Sequence, residues 1–244
     1  MKKNIPNIIT CCNLISGCIA VVCALSGSSL MALCWIVIGA AFDFCDGLTA
    51  RLLNVSSPIG KELDSLADDV TFGVAPSAML FYELSVMDYP GMLEPLRDWI
   101  PYSAFIMAAF SALRLAKFNL DERQTTSFIG LPTPANALFW GSLIAGSSRF
   151  LESSPYMSVA MIAVILCFCY LLVSEIPMFS LKFKHWGWKG NEVKYIYAIT
   201  TVLLLVVFRI QGIALAIAWY IILSLIMKRQ EGRKCLTATE MKRL

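Results

Sequence analysis

Apolar residues run in eight long stretches along this chain, at roughly 6–25, 29–50, 60–83, 101–120, 133–149, 155–176, 193–209 and 212–228, with short polar segments between them. An α-helix needs about twenty residues to cross the hydrocarbon core of a bilayer. The pattern therefore predicts an all-α, polytopic transmembrane helix bundle of about eight spans. The last two stretches are short and predict a tight hairpin, with Lys194 and Lys228 reaching toward the interface. Met1-Lys2-Lys3 leads almost directly into the first stretch, and no small-residue cleavage site follows ahead of a polar domain. The first span is therefore expected to be retained.

The polar segments carry charge unevenly. With Lys2 and Lys3 in the cytoplasm and an even number of crossings, all but three of the 20 Lys and Arg fall on that side; only Arg97, Arg149 and Arg209 lie outside. The positive-inside rule then places both termini in the cytoplasm. Segment 84–100, with Asp88, Glu94, Asp98, Tyr89 and Trp99, reads as an acidic external loop with an aromatic anchor. The tail from Lys228 is basic and reads as a solvated end near anionic lipid.

Composition narrows the reading. The chain is 58% hydrophobic and 15% charged, whereas a soluble domain carries roughly a quarter charged residues. A net charge of +3 is too small to point to nucleic acid. Of the nine cysteines, all but Cys235 lie in or beside apolar stretches, where Cys behaves as a small hydrophobe. His185 is the single histidine, and no Cys pair has ligand spacing with it, which argues against zinc and histidine chemistry.

Charge within a span is costly, so each such residue needs a reason. The second stretch closes with Asp43, Asp46, Gly47, Ala50 and Arg51, and the third opens with Gly60, Asp64 and Asp68. On a helix, Asp43, Asp46, Gly47 and Ala50 share one face, and so do Gly60, Asp64 and Asp68. A short linker containing Pro58 lets the two faces oppose one another at the inner membrane edge. Four opposed carboxylates cannot all stay ionised without compensation. A hard divalent cation such as magnesium, manganese or calcium suits an oxygen-only ligand set. Gly47, Ala50 and Gly60 leave room for a ligand near the backbone, and Arg51 beside them suggests a phosphate or pyrophosphate. Any one of these aspartates would be ordinary at a span end, as Glu62 and Asp69 are expected to be.

Read as DxxDGxxARx8GxxxDxxxD, residues 43–68 resemble the signature of the CDP-alcohol phosphotransferases without a gap. The resemblance implies that Asp43, Asp46, Asp64 and Asp68 bind one or two divalent metals, Mg2+ or Mn2+. It makes Asp68 the catalytic base and sets Gly47, Ala50 and Gly60, with Arg51, around CDP. Four further segments resemble the phosphatidylserine synthase branch: Asp64–Asp68 continuing to Phe72–Pro76, Arg114–Asn119, Gly130–Ala135 and Ile176–Ser180. The likeness covers roughly 6–184, implying a six-helix core over 1–184, a C-terminal hairpin over 185–228 and a basic cytoplasmic tail over 229–244. Two positions depart from the branch. Asp69 stands where an apolar residue is usual, and Thr71 stands where serine is expected. Lying one step off the Asp64/Asp68 face, Asp69 is expected to back the ligands or face outward.

The implied reaction transfers the phosphatidyl group of CDP-diacylglycerol to the hydroxyl of L-serine. It would run on the cytoplasmic side of the cell (inner) membrane, in a homodimer. Arg114 and Lys117, about one turn apart, are candidates for the serine carboxylate or the lipid phosphate, and read equally well as positive-inside anchors. Lys182 and Lys184 share that ambiguity. Glycerol 3-phosphate or inositol phosphate are alternative acceptors. Intramembrane prenyltransferases also use aspartates and magnesium, but their motifs lie far apart and lack DGxxAR. A cation-coupled transporter would place its carboxylates near mid-membrane in two similar halves.

Overall fold

A computed structural model describes residues 4–55, 57–120, 129–178, 187–188 and 191–241, with side chains through residue 228. These form α1 (Ile5–Leu25), α2 (Ser29–Leu52), α3 (Pro58–Asp68), α4 (Ala75–Val86), α5 (Phe105–Leu120), α6 (Thr133–Leu151), α7 (Pro155–Val173), α8 (Glu192–Phe208) and α9 (Gln211–Met241). Each apolar stretch is helical, and the one strand-like feature among the described residues is an isolated bridge between Ile129 and Pro177. Five segments are long and apolar enough to cross a membrane: Ile5–Leu25, Ser29–Leu52, Ile100–Leu120, Pro155–Val173 and Gln211–Lys228. Lys2, Lys3, Arg123, Lys182, Lys184, His185, Lys189, Lys242 and Arg243 lie outside the described residues. So do the 184/185 boundary and the tail side chains from residue 229 on, Cys235 among them.

The first two helices form a hairpin. α1 ends in a Schellman motif, in which Gly27 takes the left-handed conformation (φ 75°), Ser28 N–H donates to the Cys23 carbonyl and Gly27 N–H to that of Ala24. The third stretch is not the single regular helix that its hydropathy predicts. A π-helical turn, Asp69–Val74, separates α3 from α4 and shifts every later side chain around the axis. Its seat is tertiary. Thr71 is wedged between α1 and α2, where a Cβ on Gly17 would lie 2.9 Å from the Thr71 Cα and one on Gly39 would lie 2.6 Å from its Cγ2. The Thr71 hydroxyl donates to the Asn13 carbonyl at 3.1 Å.

α4 is the central helix, buried nearly all round from Ala75 to Leu84, as expected of a helix that is apolar on every side. Around it, Trp140 of α6 packs edge-on to Phe139 and to Phe168 of α7, and Phe139 stacks on Phe168 at 4.3 Å. The loop before α5 holds Arg97 against Glu94 (3.2 Å) and Asp88 (3.7 Å), with Trp99 exposed. α9 packs along both α6 and α8, whereas α8 buries none of its residues. The hairpin is thus docked through its second helix.

Candidate active site

The site is built at the elbow between α2 and α3. α2 also ends in a Schellman motif, with Asn54 at φ 50°, Val55 N–H donating to the Ala50 carbonyl and Asn54 N–H to that of Arg51. Asn tolerates this backbone better than most non-glycine residues. Two residues later the chain re-enters a helix, where Ser57 caps α3 by accepting from Gly60 N–H at 3.0 Å and Pro58 occupies its first turn. The tight reversal turns the α3 carboxylates toward those at the end of α2, with α3 itself packed along α1.

Three carboxylates converge there. Ligand oxygens of Asp43, Asp64 and Asp68 all lie within 4.8 Å of one another. Asp46 stands beside this triad, within electrostatic reach of all three, and its Oδ2 accepts from the Thr10 hydroxyl at 2.6 Å. Asp68 Oδ1 accepts from the Asn13 amide at 3.1 Å. No cation of the chain forms a salt bridge with these four among the described residues. Asp64 Oδ1 is buried without a hydrogen-bond partner in the chain. A carboxylate-only donor set with an orphaned oxygen fits a hard divalent cation, which Asp43, Asp64 and Asp68 would hold with Asp46 alongside.

A cavity of about 420 Å³ opens beside the carboxylates. Asp46, Gly47, Ala50, Gly60 and Asp64 line it, and α1 adds Asn7 and Thr10. A Cβ on Gly60 would come within 2.9 Å of Ser57 Oγ and 3.0 Å of Asn7 Oδ1, so a larger residue there would have to displace the hydroxyl that caps α3 and the Asn7 amide. Gly47 is different. A Cβ there would find no atom nearer than Arg51 Nη2 at 3.9 Å, so its bareness leaves room in the cavity itself.

Residues 3–228 match the family model described as CDP-alcohol phosphatidyltransferase. The chain belongs to the CDP-alcohol phosphatidyltransferase family. Among its curated relatives is a CDP-diacylglycerol–serine O-phosphatidyltransferase of Bacillus subtilis, 37% identical over 184 residues, 74% of this chain and 90% of the relative. Proteins of the same name from Helicobacter pylori (33% identical, 75% of each chain) and Methanocaldococcus jannaschii (31%, 83% of each) are similar too. The family match runs through α8 and most of α9 as well as the six-helix region.

In this CDP-alcohol phosphatidyltransferase, not every expected cation faces the cavity. Arg51 is exposed, and its Nε donates to the Gly47 carbonyl at 2.9 Å. Arg114 is buried, its Nη1 donating to Thr133 Oγ1 at 3.1 Å and its guanidinium lying 5.7 Å from the Phe118 ring centroid. Lys117, one turn on, is exposed. Lys61, not singled out by the sequence reading, lines the cavity and donates to the Asn119 carbonyl at 2.9 Å. Nor does Asp69 face outward, because its Oδ1 is buried beside Gly73 on the side facing α5. Thr10 and Asn13 were missed for want of charge. The signal was present: Pro6, Thr10, Asn13, Gly17, Ala20 and Ala24 form a buried stripe at helical spacing, polar at one end and small at the other.

Proposed function

We propose that this protein transfers the phosphatidyl group of CDP-diacylglycerol to the hydroxyl of L-serine, giving phosphatidylserine and CMP. The observation that carries the reading is the convergence of Asp43, Asp64 and Asp68 beside a cavity lined by Gly47, Ala50 and Gly60, in a chain whose relatives bear that enzyme name. CDP fits the cavity, its pyrophosphate toward the aspartates. Gly47, Ala50 and Gly60 border the nucleotide, and Arg51 can swing from its exposed position onto a phosphate. Asp43, Asp46, Asp64 and Asp68 are proposed to hold Mg2+ or Mn2+. When bound, the metal supplies Lewis-acid stabilisation of pyrophosphate charge.

Asp68 acts as the base. It accepts the serine hydroxyl proton as that oxygen forms a bond to the lipid-side phosphorus and the bond to the CMP oxygen breaks. The Asn13 amide holds one carboxylate oxygen in place for the task. Arg114 and Lys117 are the cations available for the lipid phosphate or the acceptor carboxylate. The charge asymmetry of the loops supports both termini, and this site, on the cytoplasmic side of the cell membrane, with all eight helical segments crossing. A homodimer is the assembly that the family resemblance implies.

The test uses purified protein in detergent with CDP-diacylglycerol and either metal. CMP release is followed with serine, glycerol 3-phosphate, inositol or inositol phosphate. Serine-dependent release that is lost on chelation and in Asp68→Asn is the expected result. Release with a different acceptor would keep the chemistry and change the branch. No release with any acceptor from folded protein would refute the enzyme reading.

A further inference from the structure

Several buried hydroxyls of this bundle serve their own helix. Ser16, Ser77, Ser142 and Ser224 each donate to the carbonyl four residues back, the local bond that Ser and Thr commonly make inside helices. Thr71 does not. Fully buried, it donates across 58 residues of chain to the Asn13 carbonyl at 3.1 Å. That carbonyl lies well inside α1, where the helical ladder already supplies a partner. The Thr71 bond therefore satisfies no orphaned group of α1, and its purpose lies elsewhere.

The same residue turns its side chain to the proposed base. The Asn13 amide donates to Asp68 Oδ1 at 3.1 Å, so Asn13 grips residues 68 and 71, on either side of the point where α3 gives way to the π turn. The grip has a cost. Asn13 is fully buried, and its Oδ1 has no hydrogen-bond partner in the chain. An apolar side chain would avoid that loss, so packing alone does not favour an asparagine here. Two glycines make the room. A Cβ on Gly39 would lie 3.0 Å from Asn13 Oδ1 and 2.6 Å from Thr71 Cγ2. One on Gly17 would run into the Thr71 hydroxyl and lie 2.9 Å from the Thr71 Cα. α1, α2 and the π turn are thus fitted around one pair of side chains, and the group that this pair reaches is the Asp68 carboxylate.

We propose that Asn13 and Thr71 form a clamp that orients Asp68, with Thr71 a positioning residue that acts through Asn13 and with Gly17 and Gly39 as its seat. The Thr71 hydroxyl fixes α1 in register with the π turn. The Asn13 amide converts that register into one orientation of the Asp68 side chain, holding one carboxylate oxygen and leaving the other for the reaction. Small displacements of a reacting group are expensive in rate, which gives the clamp its function. The assignment rests on the role proposed above for Asp68 and deepens it. It also gives the π turn a task, as such turns often have beside functional residues: it carries Thr71 into the seam between α1 and α2 directly after the base.

The experiment is a double-mutant cycle in the purified full chain, with Thr71→Val and Asn13→Ala made singly and together. Three quantities are read: kcat at saturating metal and substrates, Mn2+ affinity without substrate from the EPR signal of the free ion, and Tm. Thr71→Val fills the same seat and deletes only the hydroxyl, so its Tm should stay near that of the wild type. Its kcat should fall about 2- to 10-fold with the KM for serine unchanged, and Thr71→Ser should restore it. Asn13→Ala deletes the amide without new bulk beside Gly39 and should lower kcat roughly 10–100-fold. Adding Thr71→Val to it should bring no further loss, because the hydroxyl acts only through the amide. Losses that multiply in the double variant would overturn the clamp. So would a Thr71→Val protein with a lowered Tm and the kcat of the wild type, which marks Thr71 as a packing residue. The Mn2+ measurement needs no acceptor. Weaker Mn2+ binding in both single variants supports the clamp even if the wild type releases no CMP with serine, a result that refutes the reaction alone; unchanged Mn2+ binding in that case overturns both.

Discussion

Thr10→Val tests whether α1 belongs to the site or only packs beside it. The substitution keeps the shape of the side chain and deletes its hydroxyl. That hydroxyl has one proton and two acceptors in reach, the Pro6 carbonyl at 3.0 Å and Asp46 Oδ2 at 2.6 Å. The shorter contact and the charged acceptor take it. Asp46 exposes only 5% of its surface, although both it and Thr10 border the cavity, so water can replace the lost donor only in part. A hydrogen bond to a charged group contributes about 1.5–3 kcal/mol, equivalent to a factor of roughly 10–150. Outer-shell partners of metal ligands typically contribute about 10–100-fold in metal affinity or activity. The two estimates agree. The expected result is a rise of roughly 10–100-fold in the metal concentration giving half-maximal CMP release, with the KM for serine little changed and activity restored by Thr10→Ser. An unchanged metal requirement together with a lowered Tm would refute the reasoning and leave Thr10 as a packing residue.

Three further outcomes are expected. Gly47→Ala meets no protein atom nearer than 3.9 Å and replaces a helical glycine, so Tm should hold or rise, the propensity gain being up to about 1 kcal/mol. The KM for CDP-diacylglycerol should rise all the same; an unchanged KM would show that nucleotide does not approach this face. Gly17→Ala would drive a Cβ to 2.9 Å from the Thr71 Cα, a backbone atom that cannot step aside, and should cost about 1–3 kcal/mol, read as a lower Tm beside the neutral control Gly91→Ala. Asp68→Asn should abolish turnover while leaving the Tm close to that of the wild type, and measurable serine-dependent turnover would remove Asp68 as the base.

The carboxylates were legible because charge in a span is rare and expensive, so Asp43, Asp46, Asp64 and Asp68 stand out from their apolar surroundings. Their spacing alone places them on two helix faces, and the elbow at Ser57-Pro58 lets those faces meet. The π turn was illegible, because hydropathy does not distinguish a π turn from a regular helix. What holds it is the seat of Thr71 between two distant glycines, Gly17 and Gly39. Of the two places expected for Asp69, off the ligand face behind the carboxylates or outward, the first holds: it stays out of the triad, and its carboxylate lies buried beside the bare Gly73 and α5.

Thus the chain of residues by itself determined an all-helical membrane bundle, the metal-binding carboxylates as an expectation and the glycine-lined space beside them. Those properties are local, arising from the length and polarity of each stretch and the 3.6-residue period. Tertiary structure decided which neutral residues join the site. Thr10 and Asn13 reach Asp46 and Asp68 across 36 and 55 residues of chain, and Arg114 meets Thr133 from a different helix. A hydroxyl or an amide costs far less than a charge to place in a span, so it leaves little trace in composition; its role is set only by what the packed helices bring within 3 Å or so of it.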